Sequence, residues 1–360
     1  MVTTTPRRDR HIDALRGLAC VLLVAYHVIG NDSEHGMHIV AHNGWRLFTE
    51  LFIHIRMPLF SFLSGFVFQA YVADSAALSS AFGKKLRRIG IPFVVVSTLF
   101  YLCFGIINHD FSQPIWQIYI LPYEHYWYLQ ATMLIMAALL VGSYLVGSHA
   151  RAFMTGLFPI ACAIFIAAPT FDPDIFAIGS ALYLLPYFLL GQLLKIWSLN
   201  QWLGEVPARR RVAILVFGIA VAILFLLNLG QYEGWNTLNF ARQSAFGLLF
   251  GVSACLFLFF SPLQWRPLEF VGAYSYTIYL FHVFFTAALR KALSIANPGL
   301  PLGIYFAAAL MAGLFLPIVL HKVLVRWRWS ALLLLGITLR PSSRRHSDEA
   351  EPRQKKAVTP

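Results

Sequence analysis

Ten stretches of this chain are apolar over enough residues to cross a bilayer, whose hydrocarbon core of about 30 Å takes some 20 residues of helix. They run over residues 12–30, 47–70, 90–108, 127–147, 152–168, 175–197, 211–229, 240–260, 268–289 and 302–325. Backbone polar groups find no water in lipid, so segments of this kind must be helical. The sequence therefore predicts an all-α, polytopic integral membrane bundle of about ten transmembrane helices, its partner being the lipid bilayer itself. Composition agrees: 58% of the residues are hydrophobic and 12% are charged, too apolar for a soluble domain. The net charge of +12 does not call for a nucleic-acid partner, because the cations lie between apolar segments and act on topology.

Lysine and arginine are enriched in cytoplasmic connections. If successive connections alternate sides, all but five of the 28 basic residues fall on one side. That places both termini in the cytoplasm. The five exceptions are Arg46, Arg56, Arg242, Arg290 and Lys291, and the pair at 290–291 breaks the rule most plainly. The opposite connections carry Asp32, Glu34, Asp110, Glu124, Asp172, Asp174 and Glu233. The division expected is a cytoplasmic segment over 1–9, a membrane domain over 10–325, and a basic, disordered tail over 326–360. The first apolar stretch has no small-residue cleavage site and is read as retained. Cys20, Cys103, Cys162 and Cys255 lie inside apolar segments without CxxC spacing, so neither a disulfide framework nor a metal site is expected. The chain carries no internal repeat, which argues against a transporter built from inverted halves.

Ionisable groups inside a membrane are costly and mark function. The first span holds Asp13, Arg16 and His27. Arg16 and His27 share one helix face, about 16 Å apart at 1.5 Å rise per residue, and Asp13 is placed to pair with Arg16. The alternative is a snorkelling arginine and a histidine bonded to a neighbouring helix. The second span carries Arg56, which either pairs with Glu50 or Glu124 or binds substrate. It also carries Ser61, Ser64 and Gly65 on one face, a pattern that first of all serves helix packing. After it come Lys84, Lys85, Arg87 and Arg88, enough to fix topology and suited to phosphates. The fourth span opens with Glu124, His125 and Trp127 near the expected depth of His27. In the ninth, Ser275, Tyr279 and His282 lie on one face.

These pieces, in this order, resemble the acyltransferase 3 family of bacterial membrane proteins, which O-acylate surface glycans and other acceptors. The resemblance rests on Arg16-x10-His27 within DxxRG, RMPLFSFLSGF, KKLRRIGIP, HYWYL and SYTIYLFH, and covers roughly residues 10–325. It implies a multi-pass protein of the bacterial cytoplasmic (inner) membrane. The donor would be acyl-CoA, acetyl-CoA as the expected form, with no permanently bound cofactor and no metal. The acceptor would be a glycan or glycolipid, and a polysaccharide biosynthesis or export complex a partner. By the same resemblance His27 is the catalytic base and Arg16 belongs to its motif. Lys85 and Arg88 stand at the family's basic R-x-x-R pair for the CoA phosphates, with Lys84 and Arg87 beside them. Lysine at the first position binds phosphate as a point charge and loses bidentate geometry.

A mechanism follows as an expectation. The donor enters from the cytoplasm and the acceptor hydroxyl from outside. Neutral His27 takes the hydroxyl proton as oxygen attacks the thioester carbonyl, and Arg56 or a group near it stabilises the oxyanion; direct attack and an acyl-histidine intermediate both fit the sequence. Asp13, Ser64, Glu124, Trp127, Tyr279 and His282 are expected to line the substrate path. The competing readings are a transporter or channel, a non-catalytic component of an export assembly, and an acyltransferase using succinyl or an amine acceptor.

Overall fold

The structure is a computed structural model that describes residues 9–30, 36–39, 43–297 and 299–339. Its helices are α1 (Arg10–Ile29), α2 (Gly44–Leu51), α3 (Ile53–Val67), α4 (Ser75–Lys85), α5 (Ile91–Asn108), α6 (Gln117–Ile120), α7 (Trp127–Val146), α8 (Ala150–Ala167), α9 (Ile178–Ile196), α10 (Leu199–Glu205), α11 (Pro207–Tyr232), α12 (Ala245–Phe260), α13 (Arg266–Ala273), α14 (Ser275–Ala296), α15 (Leu302–Leu324) and α16 (Arg328–Leu335). No strand occurs among the described residues. Among the described residues eight helical stretches are long and apolar enough to cross a membrane. One of them contains both α7 and α8, and α12 is a shorter apolar helix beside them. Every one of the ten apolar segments falls on helix, and the chain is an all-α polytopic membrane bundle.

The first helix is the axis of the bundle. Its apolar window is 72% buried, against 17% for α11, which offers most of its surface to lipid. Asp9 caps α1 by accepting from the amides of His11 and Ile12. His11 bonds the carbonyls of Leu263 and Phe259, and Arg10 pairs with Glu269 at 2.8 Å. Close approach then needs glycine. A Cβ on Gly17 would overlap the backbone of Leu268, and one on Gly272 would overlap the Asp13 carbonyl, so α13 lies directly against α1. A second such seam joins α3 to α9. There Gly65 meets the Phe188 backbone, Gly191 meets that of Phe62, and Ser61 donates to the Leu184 carbonyl at 3.0 Å. Ser61 and Gly65 thus serve packing.

The structure redraws several boundaries. The expected span 268–289 is broken at Tyr274, and its second part, α14, runs on to Ala296. Arg290 consequently sits on a helix instead of in a connection. The cationic run is helical too: a π-helical turn over Leu86–Gly90 joins α4 to α5, a geometry often found at functional sites. Of the expected tail, residues 326–339 are ordered. They include α16, whose Ala331 and Leu335 are fully buried. Residues 1–8 and 340–360, with most of the expected tail, lie outside the described residues, as do Asp32 and Glu34.

Candidate functional site

A polar cleft lies at each end of α1. At the His27 end a cavity of about 550 Å³ opens between α1, α3, the start of α7, α14 and the stretch before α12. His27, Arg56, Glu124, Trp127 and Tyr279 line it, and so do Tyr26, His125, Tyr183, Arg242 and Arg290. Glu124 adopts a left-handed backbone (φ 46°) in the short 3-10 turn Glu124–Tyr126 that precedes α7. Strain of this kind in a non-glycine residue is found where surrounding structure imposes it, often at functional sites.

Three imidazoles meet here: His27 and His125 line the cavity, while His282, expected to line it, is packed behind them. The ring centroids of His27 and His282 are 4.9 Å apart, those of His125 and His282 5.0 Å, and those of His27 and His125 5.8 Å. His282 is fully buried, and its Nδ1 lies 2.9 Å from the Ile278 carbonyl and 3.0 Å from that of Tyr279. A carbonyl only accepts, so neutral His282 carries its proton on Nδ1. Its Nε2 is then an acceptor, buried without a hydrogen-bond partner. His125 has no hydrogen-bond partner at either ring nitrogen, while its backbone carbonyl accepts from the Tyr279 hydroxyl. Buried nitrogens left open in this way are exceptional. Among the described residues no group of three or more His, Cys, Asp or Glu is spaced to hold a metal ion.

Arg56 is buried, and it makes no ion pair with Glu50 or Glu124 among the described residues. Its guanidinium lies 3.5 Å from the Tyr26 ring centre, and its one hydrogen bond, to the Thr49 carbonyl, is 3.5 Å long. His54, two residues earlier, is taken up by the Phe240 carbonyl at 3.0 Å and has no part in the cavity. Ser64 does not reach the cavity either: its Oγ is 3.3 Å from the Tyr128 hydroxyl, which ties α3 to α7.

At the other end of α1 a cleft of about 470 Å³ is lined by Asp13, Arg16, Phe66, Lys195 and Gln201 among others. Arg16 Nη1 lies 3.6 Å from Asp13 Oδ1. The structure therefore puts Arg16 and His27 on one helix but in different clefts, with the buried residues Ala19, Cys20, Leu23 and Val24 between them. The four cations of the π-helical region do not form one cradle. Lys85 lies 5.0 Å over the Phe68 ring, and Phe68 in turn accepts from Lys195 at 3.2 Å. Arg88 points to the opposite side: it donates to the Leu335 carbonyl at 3.1 Å and covers the Tyr276 ring. Lys84 and Arg87 are exposed. Lys195 joins Arg16 at the cleft, a neighbour that sequence reading missed because they stand far apart in the chain.

Fold and site together define a polytopic helical membrane protein with a polar, histidine-walled cavity inside its bundle. Over residues 9–322 the chain matches the acyltransferase 3 family, described as an acyltransferase domain. The chain belongs to that family and is a membrane acyltransferase. No curated protein and no solved structure matches it.

Proposed function

We propose that this protein moves an acyl group, acetyl in the simplest case, from cytoplasmic acyl-CoA to a hydroxyl of an extracytoplasmic or lipid-linked glycan across the bacterial cytoplasmic membrane, with His27 as general base. The observation that carries this reading is the position of His27. It is an ionisable group on the most central helix, at the wall of a cavity large enough for a small substrate. It stands beside an arginine that is free of ion pairs among the described residues.

The chemistry asks for few parts. His27 accepts the acceptor's hydroxyl proton while that oxygen bonds to the thioester carbonyl carbon. Arg56 offers N–H donors to the oxyanion. The C–S bond then breaks, the imidazolium returns its proton to the departing CoA thiolate, and an ester remains on the acceptor. The CoA phosphates would rest at the Arg16 end, where Arg16 and Lys195 share the cleft and Lys85 lies close by. Asp13 holds Arg16 in place. The pantetheine arm would run along α1 past the buried layer that includes the Ser64–Tyr128 contact. No resident cofactor takes part. An export or biosynthesis complex would supply the acceptor.

The test is the acetyl content of the host's envelope and extracellular glycans in three strains: wild type, gene deletion, and His27→Ala at matched membrane levels. Loss in both altered strains is expected. Unchanged acetyl in the deletion would overturn the acetyl–glycan assignment, and loss in the deletion alone would remove His27 from the chemistry.

A further inference from the structure

The cavity beside His27 holds more positive charge than proton transfer needs. Of the five basic residues that break the positive-inside pattern, three converge on it: Arg56 from α3, Arg242 from the stretch before α12, and Arg290 from the last turns of α14. The other two differ. Lys291 is exposed, and Arg46 is buried and used, with Nη1 at 2.6 Å from the Gly30 carbonyl and Nη2 at 3.3 Å from that of Ile39. Arg46 shows what a structural arginine looks like in this protein.

The three cavity arginines look different. None makes an ion pair among the described residues. Arg56 is 8% exposed and held by one long hydrogen bond, and Arg290 has a buried Nε with no partner. Arg56 lies over Tyr26 at 3.5 Å, and Arg242 over Tyr183 at 4.1 Å and Trp127 at 5.1 Å. An aromatic ring engages the flat face of a guanidinium and leaves the in-plane N–H groups free. Those edges are the ones that grip a carboxylate or phosphate with two parallel hydrogen bonds. Among the described residues Glu124 is the one carboxylate on the cavity wall, beside three guanidinium groups. Cations held together at membrane depth repel one another and are poorly solvated. A ligand anion would relieve both costs, and a neutral sugar would relieve neither.

We infer that the acceptor is an anionic sugar, one that carries a carboxylate or a phosphate, and that Arg242 and Arg290, with Arg56, are the residues that select it. The inference deepens the acyl-transfer reading and rests on it for the identity of the cavity as the acceptor site. The anion has two sources, a uronic acid within the glycan or the phosphate that links a sugar to a lipid carrier. Both present the same chemistry to the three guanidinium groups.

Binding without donor tests this apart from catalysis. Full-length protein in lipid nanodiscs is titrated by calorimetry with methyl glucuronide, glucose 1-phosphate, methyl glucoside and succinate. At least one of the two anionic sugars is expected to bind ten times more tightly than methyl glucoside or better, and the tighter of the two names the source. Succinate, a carboxylate without a sugar ring, is expected to bind more weakly than the preferred sugar. Combined Arg242→Gln and Arg290→Gln substitution should remove the preference, and Arg242→Lys should keep part of it. Residual binding of methyl glucoside, with an unchanged melting temperature, shows that the double variant is folded. Equal binding of charged and neutral sugars, no binding of any sugar at millimolar concentration, succinate binding as tightly as the best sugar, or a preference that survives the double substitution would each overturn the inference. His27→Ala should retain the preference, so failure of the base assignment shows in transfer and failure of this inference shows in binding.

Discussion

Replacing His27 by alanine should abolish most acyl transfer while leaving the fold intact, and the two effects can be worked out separately. General-base assistance is worth about 10²–10⁴ in rate, or roughly 3–5 kcal/mol of activation free energy. The residual rate of the variant should fall in that range below wild type, with the Michaelis constant for the donor nearly unchanged if the donor's charged end binds, as proposed, at the other end of α1. Stability should respond little. The His27 ring makes no hydrogen bond among the described residues, and its contacts are the rings of Tyr26, His125 and His282. It borders a cavity of about 550 Å³, so truncation widens an existing space and creates no new sealed void. The cavity cost of about 24 cal/mol per Å³ that accompanies truncation in a closed core does not apply in full. The assay is release of free CoA thiol from acetyl-CoA by purified protein in nanodiscs with acceptor present, beside a thermal melt of the same sample. A rate within threefold of wild type would refute the base assignment. A melting temperature lowered by many degrees would refute the claim that His27 is free of structural duty.

Three further outcomes follow from other parts of the structure. His282→Leu removes the open Nε2 that can accept from the imidazolium formed at His27, and should lower the turnover number about fivefold, the kinetic equivalent of the roughly 1 kcal/mol a hydrogen bond contributes. A fall as large as that of His27→Ala would instead give His282 the base role, and no fall at all would leave its open Nε2 without a function. Arg16→Ala should raise the Michaelis constant for acyl-CoA about tenfold, the low end for a hydrogen bond to a charged group, since its side chain is 31% exposed; a change in turnover alone would argue against a donor-binding place. Gly272→Ala should destabilise by about 1–3 kcal/mol, the usual cost of overpacking, because the new methyl must displace the Asp13 carbonyl; an unchanged thermal melt would mean that α13 does not bear on α1 this closely.

The membrane bundle was legible because the signal is dense: apolar runs of spanning length admit no other fold. His27, Arg16 and Asp13 stood out because ionisable groups are conspicuous inside such a run. Other residues could not be read this way. His125 lies in the turn before α7, where a polar residue is unremarkable, and only the left-handed Glu124 sends it to the His27–His282 pair. Arg290 reads as a loop cation until α14 is seen to extend to Ala296. The four cations after the second span read, on linear spacing, as a topology signal that could also suit phosphates. Helix geometry divides them instead, with Lys85 turned to Phe68 and Arg88 to Tyr276 and α16. Spacing along a chain gives positions on a face only when the helix is regular, and here a π turn intervenes.

The placement of Arg16 and His27 in separate clefts bears on how the proposed reaction could join substrates from two sides of a membrane without leaking. A continuous polar passage along α1 would admit water and ions. Buried apolar residues on α1 interrupt it instead, from Ala19 to Val24, and the Ser64–Tyr128 contact bridges α3 and α7 alongside. An acyl chain and its thioester are the least polar parts of the proposed donor, so they are the parts that such a layer can pass. The phosphates are the most polar, and the cations at the Arg16 end can hold them back. One helix can therefore serve both ends of the proposed reaction: its rise fixes the separation of Arg16 and His27, and its close seam with α13 at Gly17 anchors it in the bundle.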